Sequence, residues 1–595
     1  MLNLIRYRTS WLIAAVALII LPLTLRSAPS LGRVDNPPSV DIKPAQNAQD
    51  ALQLLAAGGR VPGSEGDRAA ANYLRQEFGR QATSQRFSAR TPLGEVELEN
   101  VYVVERGSGV GQSRAPILVV APRDAAAGVV GGYSGSALLI ALARLARTTT
   151  HNRPIFFVST DGSTLGNAGI RWFLAQNRNV PFAGAVVLDA PAEAAGNGIS
   201  LWMGGSGSSA APGFRQIAAA EARAAGMRVA PEDSFWAQLL RLAVPQTIGD
   251  QGAIVTESIP AVTLSARPES PLQADRVQLT DQAFTPERLG LVAAAAQNII
   301  STIDASTRLP RPGASILVTG RIMRPSVLRL ALLIALMPIL VVAGDLAIRL
   351  RRGRIFLGRG LRALRWRFLA PAVALLAGNI LTIVGLLPEG AAGRPPLADT
   401  AGFTGTSVLA LLIVAGAAAA AWRFSRPRVE AAHALPPTDA AAALIVLAIS
   451  LVATWTVHPF VLVLALPAAH AAILATVDRD RWKIVLLAGL AILPVLLLVG
   501  VIGGLADRST IPALWYLAVT TVAGTRGILG PGLGLAIGVC IWTLIVPALA
   551  RRSPPPTRRI ATGPATRPSR SRSRRPGRPH GSVDQAQSMP VHPRR

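Results

Sequence analysis

A single cysteine, Cys540, occurs in 595 residues. No disulfide can therefore close within the chain, and no cysteine-based metal site can exist. Lysine is nearly absent, with Lys43 and Lys483 standing against 58 arginines. Histidine is scarce: of six, only His151 falls between residues 27 and 325. Aromatic residues make up 5%, and 33 acidic residues leave a formal charge of +27. These shortages exclude a disulfide-rich module. Half of the chain is hydrophobic, and its uneven spread excludes a plain soluble enzyme, a collagen and a wholly disordered polymer.

The positive charge is as uneven as the hydrophobicity. Residues 27–325 are close to neutral, whereas Arg349–Arg367 holds eight arginines and no acid, and residues 551–595 hold twelve arginines and one aspartate. A nucleic-acid-binding protein concentrates such charge on a folded domain. Here it brackets apolar runs, which marks membrane topology. The expected partner is the lipid bilayer, and no specific nucleic acid.

Trp11–Leu25 is an apolar run preceded by Arg6 and Arg8. It reads as a signal-anchor helix within residues 1–29, with a cleaved signal peptide as the alternative. Residues 30–50 read as a linker. Residues 51–310 alternate helical and strand patterns, with helices expected at 66–79, 135–147, 167–177, 213–226 and 285–304. Strands are expected at 99–104, 116–121, 154–159, 184–189 and 260–264. Continuous apolar strands such as Ile117-Leu-Val-Val and Ile155-Phe-Phe-Val predict an α/β fold, a mixed and mostly parallel sheet flanked by helices.

Between residues 326 and 550, runs near 327–348, 368–387, 403–422, 440–457, 460–477, 484–505 and 528–550 are long enough to cross ~30 Å of hydrocarbon. They predict an all-α transmembrane bundle of about seven helices, eight spans with the anchor. Residues 511–524 read as interfacial or re-entrant. With the N-terminus inside, the Arg349–Arg367 loop, Arg423/Arg426/Arg428, Arg479/Arg481/Lys483 and the tail all fall on the inner side. That topology places both termini in the cytoplasm and residues 30–325 outside a plasma membrane. The tail, 551–595, is Pro-, Ser- and Arg-rich and builds no core; it is expected to be a solvated cytoplasmic segment with anionic-lipid contact as a by-product.

Within the spans, polar residues are few: Arg329, Asp345, Asn379, His458 and His470. Arg329 and Asp345 lie near the ends of their span, where snorkelling accounts for them. Only His470 and Asn379 are expected inside the bundle, too sparse for an ion pathway.

Several segments of the α/β region follow one another in a recognisable order: Arg60-Val-Pro-Gly-Ser-Glu-Gly-Asp with its helix; Val119-Val-Ala-Pro-Arg-Asp124; Tyr133-Ser-Gly-Ser; Ile155-Phe-Phe-Val-Ser-Thr-Asp161-Gly-Ser-Thr-Leu-Gly166; Val186-Val-Leu-Asp189; and Gly249-Asp-Gln through Ser258-Ile-Pro-Ala-Val-Thr-Leu. Together they resemble the di-zinc aminopeptidases, a group that includes glutamate carboxypeptidase, transferrin receptor and glutaminyl cyclase relatives. The resemblance implies two zinc ions that share a carboxylate and a water, with a glutamate as general base. Carried over position by position, it implies mostly losses. Pro122 stands at the family's first histidine, Ser163 and Thr164 at its glutamate pair, and Val130 or Gly131 at the bridging aspartate. Asp124 and Asp189 persist. The late histidine motif falls loosely on Pro271-Leu-Gln-Ala-Asp275, which has no histidine.

The remnant cleft is therefore expected at Pro122, Asp124, Ser163, Thr164 and Asp189, with no catalytic or metal-binding residue and no cofactor. Asp124, Asp161, Asp189, Asp250 and Asp275 are candidates for a pocket holding a hard cation such as calcium. The alternative is that Asp124 and Asp189 cap strand ends or contact arginines. Ser134 occupies a strand-to-helix turn, but its surroundings are not Gly-x-Ser-x-Gly and only His151 is at hand as a base.

The whole plan of anchor, outer aminopeptidase-like domain and polytopic bundle resembles the attachment subunit of the GPI transamidase. The expected function is non-catalytic: binding a peptide or envelope protein, or scaffolding. An active metallo-aminopeptidase, using zinc, and a transporter with an outer domain are the alternatives.

Overall fold

In a computed structural model, the structure describes residues 4–27, 44–56, 59–91, 94–107, 114–125, 132–193, 198–204, 212–232, 234–243, 249–267, 269, 285–307, 309–318, 321–353, 357–387, 405–432, 436–478, 480–505, 510–522 and 529–550. The chain divides into two compact units, Met1–Arg551 and Arg552–Arg595. The second, with the lipid contact expected of it, lies outside the described residues.

Among the described residues, eleven strands form two sheets: β1 (Arg26–Ser27), β2 (Thr83–Thr91), β3 (Gly94–Glu105), β4 (Ile117–Pro122), β5 (Ile155–Thr160), β6 (Gly184–Asp189), β7 (Gly198–Trp202), β8 (Arg228–Val229), β9 (Ala261–Ser265), β10 (Ile316–Val318) and β11 (Arg321–Met323). The large sheet has the order β2-β3-β5-β4-β6-β9-β7-β8. Its centre, β5-β4-β6-β9, is parallel, with antiparallel neighbours on both sides. β4 is buried at all six positions, because helices cover both faces and an apolar run suits a two-sided interior. The fold class expected from the sequence is the one observed.

Local chemistry accounts for the flanking helices. Ser64 caps helix Glu65–Phe78 by accepting the Asp67 N–H (3.2 Å), and Gly79 ends it at φ +71°. Thr285 does the same for helix Pro286–Ala305, whose proline lies in the first turn. Helix Tyr133–Thr148 crosses β6 so closely that a Cβ on Gly135 would strike the Leu188 carbonyl. Glycine is therefore required there by contact and not by backbone angle.

Three expectations need correction. Residues 44–50, read as linker, open helix Pro44–Ala56, whose Ala51 and Leu54 are buried in the α/β core. Its polar run Pro-Ala-Gln-Asn-Ala-Gln-Asp hides an apolar stripe that begins only at Ala51. Helix Phe235–Ala243 was not foreseen either. It joins the second hydrophobic cluster, where Leu239, Leu242 and Ala243 pack among residues that include Phe460 and Leu462. Gln238 exchanges two hydrogen bonds with the backbone of Leu317 (2.8 and 2.9 Å), so this helix fastens the α/β region to the small sheet and the bundle. The third correction concerns Asp345. It does not snorkel: its buried carboxylate pairs with Arg6 and Arg349.

Among the described residues, seven helices are long and apolar enough to cross a membrane. They are Pro325–Arg352, Gly358–Ile383, Gly405–Val429, Thr438–Val457, Pro459–Val477, Arg481–Gly500 and Gly530–Leu549. Helix Thr510–Val522 has 13 residues and rises only roughly 20 Å, short of the hydrocarbon thickness.

Helix Leu4–Ile20 packs along Pro325–Arg352. At one end of this antiparallel pair Arg6 meets Asp345; at the other, β1 pairs with β11 through Arg26 and Ile322. Between them Tyr7 Oη and His470 Nδ1 are 2.8 Å apart, His470 Nε2 lies 3.1 Å from the Ala335 carbonyl, and Trp11 tilts against the imidazole at 4.7 Å. His470 is indeed inside the bundle, engaged in joining helices. Asn379 donates to the Leu375 carbonyl of its own helix (2.7 Å).

Candidate functional site

The parallel strands β4, β5, β6 and β9 end on the same side of the sheet, where ligand crevices of open α/β folds form. The segments that follow them bring Arg123 and Asp124, Asp161, Asp189 and Arg267 to one edge. Chain order alone separates these residues; the parallel pairing gathers them.

Asp124 accepts three hydrogen bonds, from Ser163 N–H and Thr164 N–H (both 2.8 Å) and from the Thr164 hydroxyl (2.7 Å). The structure therefore brings together three of the five cleft residues expected from the sequence. Pro122, the last residue of β4, sits opposite Thr160 of β5. It offers no side-chain donor and no amide N–H. Asp189, at the end of β6, pairs with Arg267 Nη2 at 2.9 Å. The Arg267 guanidinium also lies 5.6 Å from the Trp202 ring centroid, and Trp202 Nε1–H donates to the Arg267 carbonyl (2.8 Å).

Arg123 stands between Pro122 and Asp124, and its side chain is wholly buried. Its Nη2 donates to Asp67 Oδ2 at 3.0 Å, and its Nε lies 2.8 Å from Asp67 Oδ1 as an ion pair. The same Nη2 is 3.1 Å from Asp161 Oδ2, which also accepts the Glu99 N–H (3.0 Å). Two buried carboxylates thus face one guanidinium. Burial pushes the Asp161 carboxyl up to about 8 against the pull of Arg123, and Asp67 is likewise raised by burial. Burial pulls Arg123 down, but Asp67 and Asp161 more than offset it and hold the guanidinium above its ordinary value.

A second buried group lies at the start of helix Tyr133–Thr148. Glu193 accepts the N–H groups of Gly132 and Ser134 and the Ser134 hydroxyl, each at 3.1 Å. The position suits an anion, since unpaired N–H groups and the helix dipole converge there. Burial nevertheless raises the Glu193 carboxyl, with the Ser134 amide and Arg60 opposing. Arg60 is buried and lies 5.9 Å from the Tyr133 ring centroid. Burial lowers it, and Glu193, Asp124 and Asp67 work the other way. Ser134 Oγ also accepts the Ala192 N–H at 3.2 Å. Its hydroxyl is thus bound into a local frame with a carboxylate and no imidazole.

His151 is at the other end of β5, with Nδ1 2.7 Å from the Arg153 carbonyl. The length of the strand, roughly 20 Å, separates it from the cleft. Asp250 opens helix Asp250–Thr256 and accepts the Thr160 hydroxyl (2.6 Å). Val130, Gly131, Pro271 and Asp275 lie outside the described residues. Among the described residues, no three His, Cys, Asp or Glu side chains come together as a group able to hold a metal ion.

Sequence reasoning overlooked Arg60, Asp67, Arg123, Glu193 and Arg267. Three of them lie inside or beside the quoted segments. The available signal was an arginine wedged between Pro122 and Asp124 at the end of a fully apolar strand, a place where an unpaired charge is not tolerated.

No protein-family model matches the chain, and no curated protein matches it. Solved structures similar to it include the glutaminyl cyclase of an Acidobacteriales bacterium, 15% identical over 47% of this chain and 99% of that one, with a TM-score of 0.35. Another is the glutaminyl cyclase of Fimbriiglobus ruber, 19% identical over 46% and 99% of the two chains, with a TM-score of 0.37. A third is a leucine aminopeptidase precursor from Bacteroides thetaiotaomicron, 16% identical over 45% and 99%, with a TM-score of 0.35.

Proposed function

We propose that this is a multi-pass plasma-membrane protein whose outward α/β domain is a non-catalytic relative of the di-zinc aminopeptidases, serving as a peptide-binding or envelope-protein-binding scaffold. The observation that carries this reading is how the carboxylates at the cleft are engaged. Arg123 pairs with Asp67 and reaches Asp161, Arg267 pairs with Asp189, and three donors from the Ser163–Thr164 turn engage the Asp124 carboxylate. Metal ligands must present free lone pairs, and zinc sites prefer imidazole, thiolate and carboxylate in tetrahedral sets. A donor set of arginine-paired aspartates, with proline, serine and threonine in the remaining positions, does not fit a pair of zinc ions.

Guanidinium groups supply the positive charge that the cations supply in the family this sequence resembles. That substitution keeps the carboxylates buried without a metal and, among the described residues, leaves no group positioned to activate water. The orientation rests on the arginine clusters: each lies at a helix end on the side that the positive-inside rule assigns to the cytoplasm.

Hydrolysis by the purified full-length protein tests the reading. With aminoacyl-coumarin substrates and added zinc, turnover is expected to equal the rate without protein. Turnover that depends on Asp124 and Asp189 would overturn it.

A further inference from the structure

The ends of two bundle helices carry a cluster of arginines and aromatic rings that the proposed function does not use. Helices Gly358–Ile383 and Gly405–Ala432 pack together as an antiparallel pair: Trp366 meets Phe424 edge to face at one end (6.0 Å, 67°), while Leu381 and Leu387 meet Ala410 and Leu411 at the other. Arg359, Arg362 and Arg365 begin the first helix, and Arg423, Arg426 and Arg428 close the second. All six are exposed. The sequence has no acid between Asp345 and Glu389, and none between Asp399 and Glu430. Arg359, Arg362, Arg365, Arg423 and Arg428 form no ion pair among the described residues; Arg367, deeper in, reaches Asp439 (3.4 Å).

We propose that this cluster is a binding site for the phosphate headgroup of an anionic phospholipid. The guanidinium carbons of Arg365 and Arg428 lie 5.0 and 5.1 Å from the centroid of the same Trp366 ring, and Arg428 also sits 3.7 Å from Phe424. Two like charges are thus held over one indole with no carboxylate between them among the described residues, an arrangement that an anion stabilises. Cation–π contact uses the flat faces of the guanidinium groups. It leaves N–H groups on their rims to meet phosphate oxygens in the forked geometry that lysine does not supply. Arg428 spends one of these on the Phe424 carbonyl (2.6 Å). Arg426 stacks on Trp422 at 5.5 Å in the same way.

The surroundings fit a lipid better than a soluble phosphate. Trp422 and Phe424 are each more than half exposed, at a helix end where amphipathic rings settle at headgroup depth. Exposed Leu361 provides apolar surface beside the arginines for an acyl chain.

Tryptophan fluorescence of the full-length protein in nonionic detergent tests the proposal, with phosphatidylglycerol or phosphatidylcholine carrying brominated acyl chains as quencher. Phosphatidylglycerol is expected to quench at lower concentration than phosphatidylcholine, and part of that excess should vanish in Trp366→Phe. Arg365→Gln/Arg428→Gln is expected to weaken the phosphatidylglycerol response by about fivefold per arginine removed, with phosphatidylcholine unaffected. Trp422→Phe, a milder change, should remove a further share of the excess. Equal quenching by the two lipids would overturn the proposal, as would an undiminished excess in the double variant. Displacement of the brominated lipid by free glycerol phosphate would overturn the choice of a lipid over a soluble anion.

Discussion

Arg123→Met isolates the physics of the cleft. The substitution keeps an unbranched side chain of similar reach and removes a guanidinium that is wholly buried and in contact with two carboxylates at 2.8–3.1 Å. Asp67 is then left without its cation in the interior, and Asp161, which keeps its proton up to about pH 8, loses its guanidinium partner. Breaking a buried ion pair in this way costs about 3–5 kcal/mol, a large share of the ~5–15 kcal/mol that holds a domain together. A single melting temperature is the wrong readout, because the helix bundle and the α/β domain need not unfold together. Amide exchange of peptides covering β4 and β5 in the detergent-solubilised protein reports the local loss. The loss corresponds to exchange faster by about a hundredfold to a few thousandfold. Adding Asp67→Asn and Asp161→Asn to the same chain leaves no carboxyl group facing the methionine and should restore most of the protection. Acceleration below about tenfold, or a triple variant no better protected than the single one, would refute the reasoning.

Other outcomes follow from the same geometry. Asp161 binds its proton up to about pH 8 in the folded protein but releases it near 4 when unfolded. The native state therefore holds the extra proton across that window. Protection of β5 should fall as pH rises from about 4 to about 8, by at most ~1.4 kcal/mol per pH unit, and level off above; Asp161→Asn should flatten the slope. In the bundle, Asp345→Ala leaves Arg6 and Arg349 facing each other, so it should lower the thermal stability of the solubilised protein more than Arg6→Ala does. Tyr7→Phe should cost only about 0.6 kcal/mol, the usual worth of a hydrogen bond between membrane helices. Gly135→Ala drives a methyl into the Leu188 carbonyl and should cost about 1–3 kcal/mol in the α/β domain, seen as faster exchange in β6.

How much of this was legible in the sequence depended on whether the signal was local. β4 and β6 announce themselves as unbroken apolar runs, and all seven long bundle helices lie where hydropathy puts them. β2, with the sequence Thr-Ser-Gln-Arg-Phe-Ser-Ala-Arg-Thr, carries one large apolar residue, Phe87, and becomes a strand through its antiparallel pairing with β3. Helix Phe235–Ala243 is too short for its period to stand out, and its role comes from what it docks against. Asp345 looked like a snorkelling end residue because its partner Arg6 lies 339 positions away.

The cleft follows the same rule. Asp124, Ser163 and Thr164 were placed by order and spacing, and the parallel pairing of β4 with β5 brings them together. Arg60, Arg123, Glu193 and Arg267 acquire meaning only through distant partners: Arg123 through Asp67 on a helix, Glu193 through the first turn of another, Arg267 through Asp189 on the neighbouring strand. No periodicity encodes such pairs.

In the proposed scaffold, arginines hold the charge that a pair of metal ions would otherwise hold. Elemental analysis of the purified full-length protein after equilibration with zinc and removal of free metal tests it directly. Zinc at background, unchanged by Asp189→Asn, is the expected result. A stoichiometric zinc content that drops in Asp189→Asn or Asp124→Asn would contradict it.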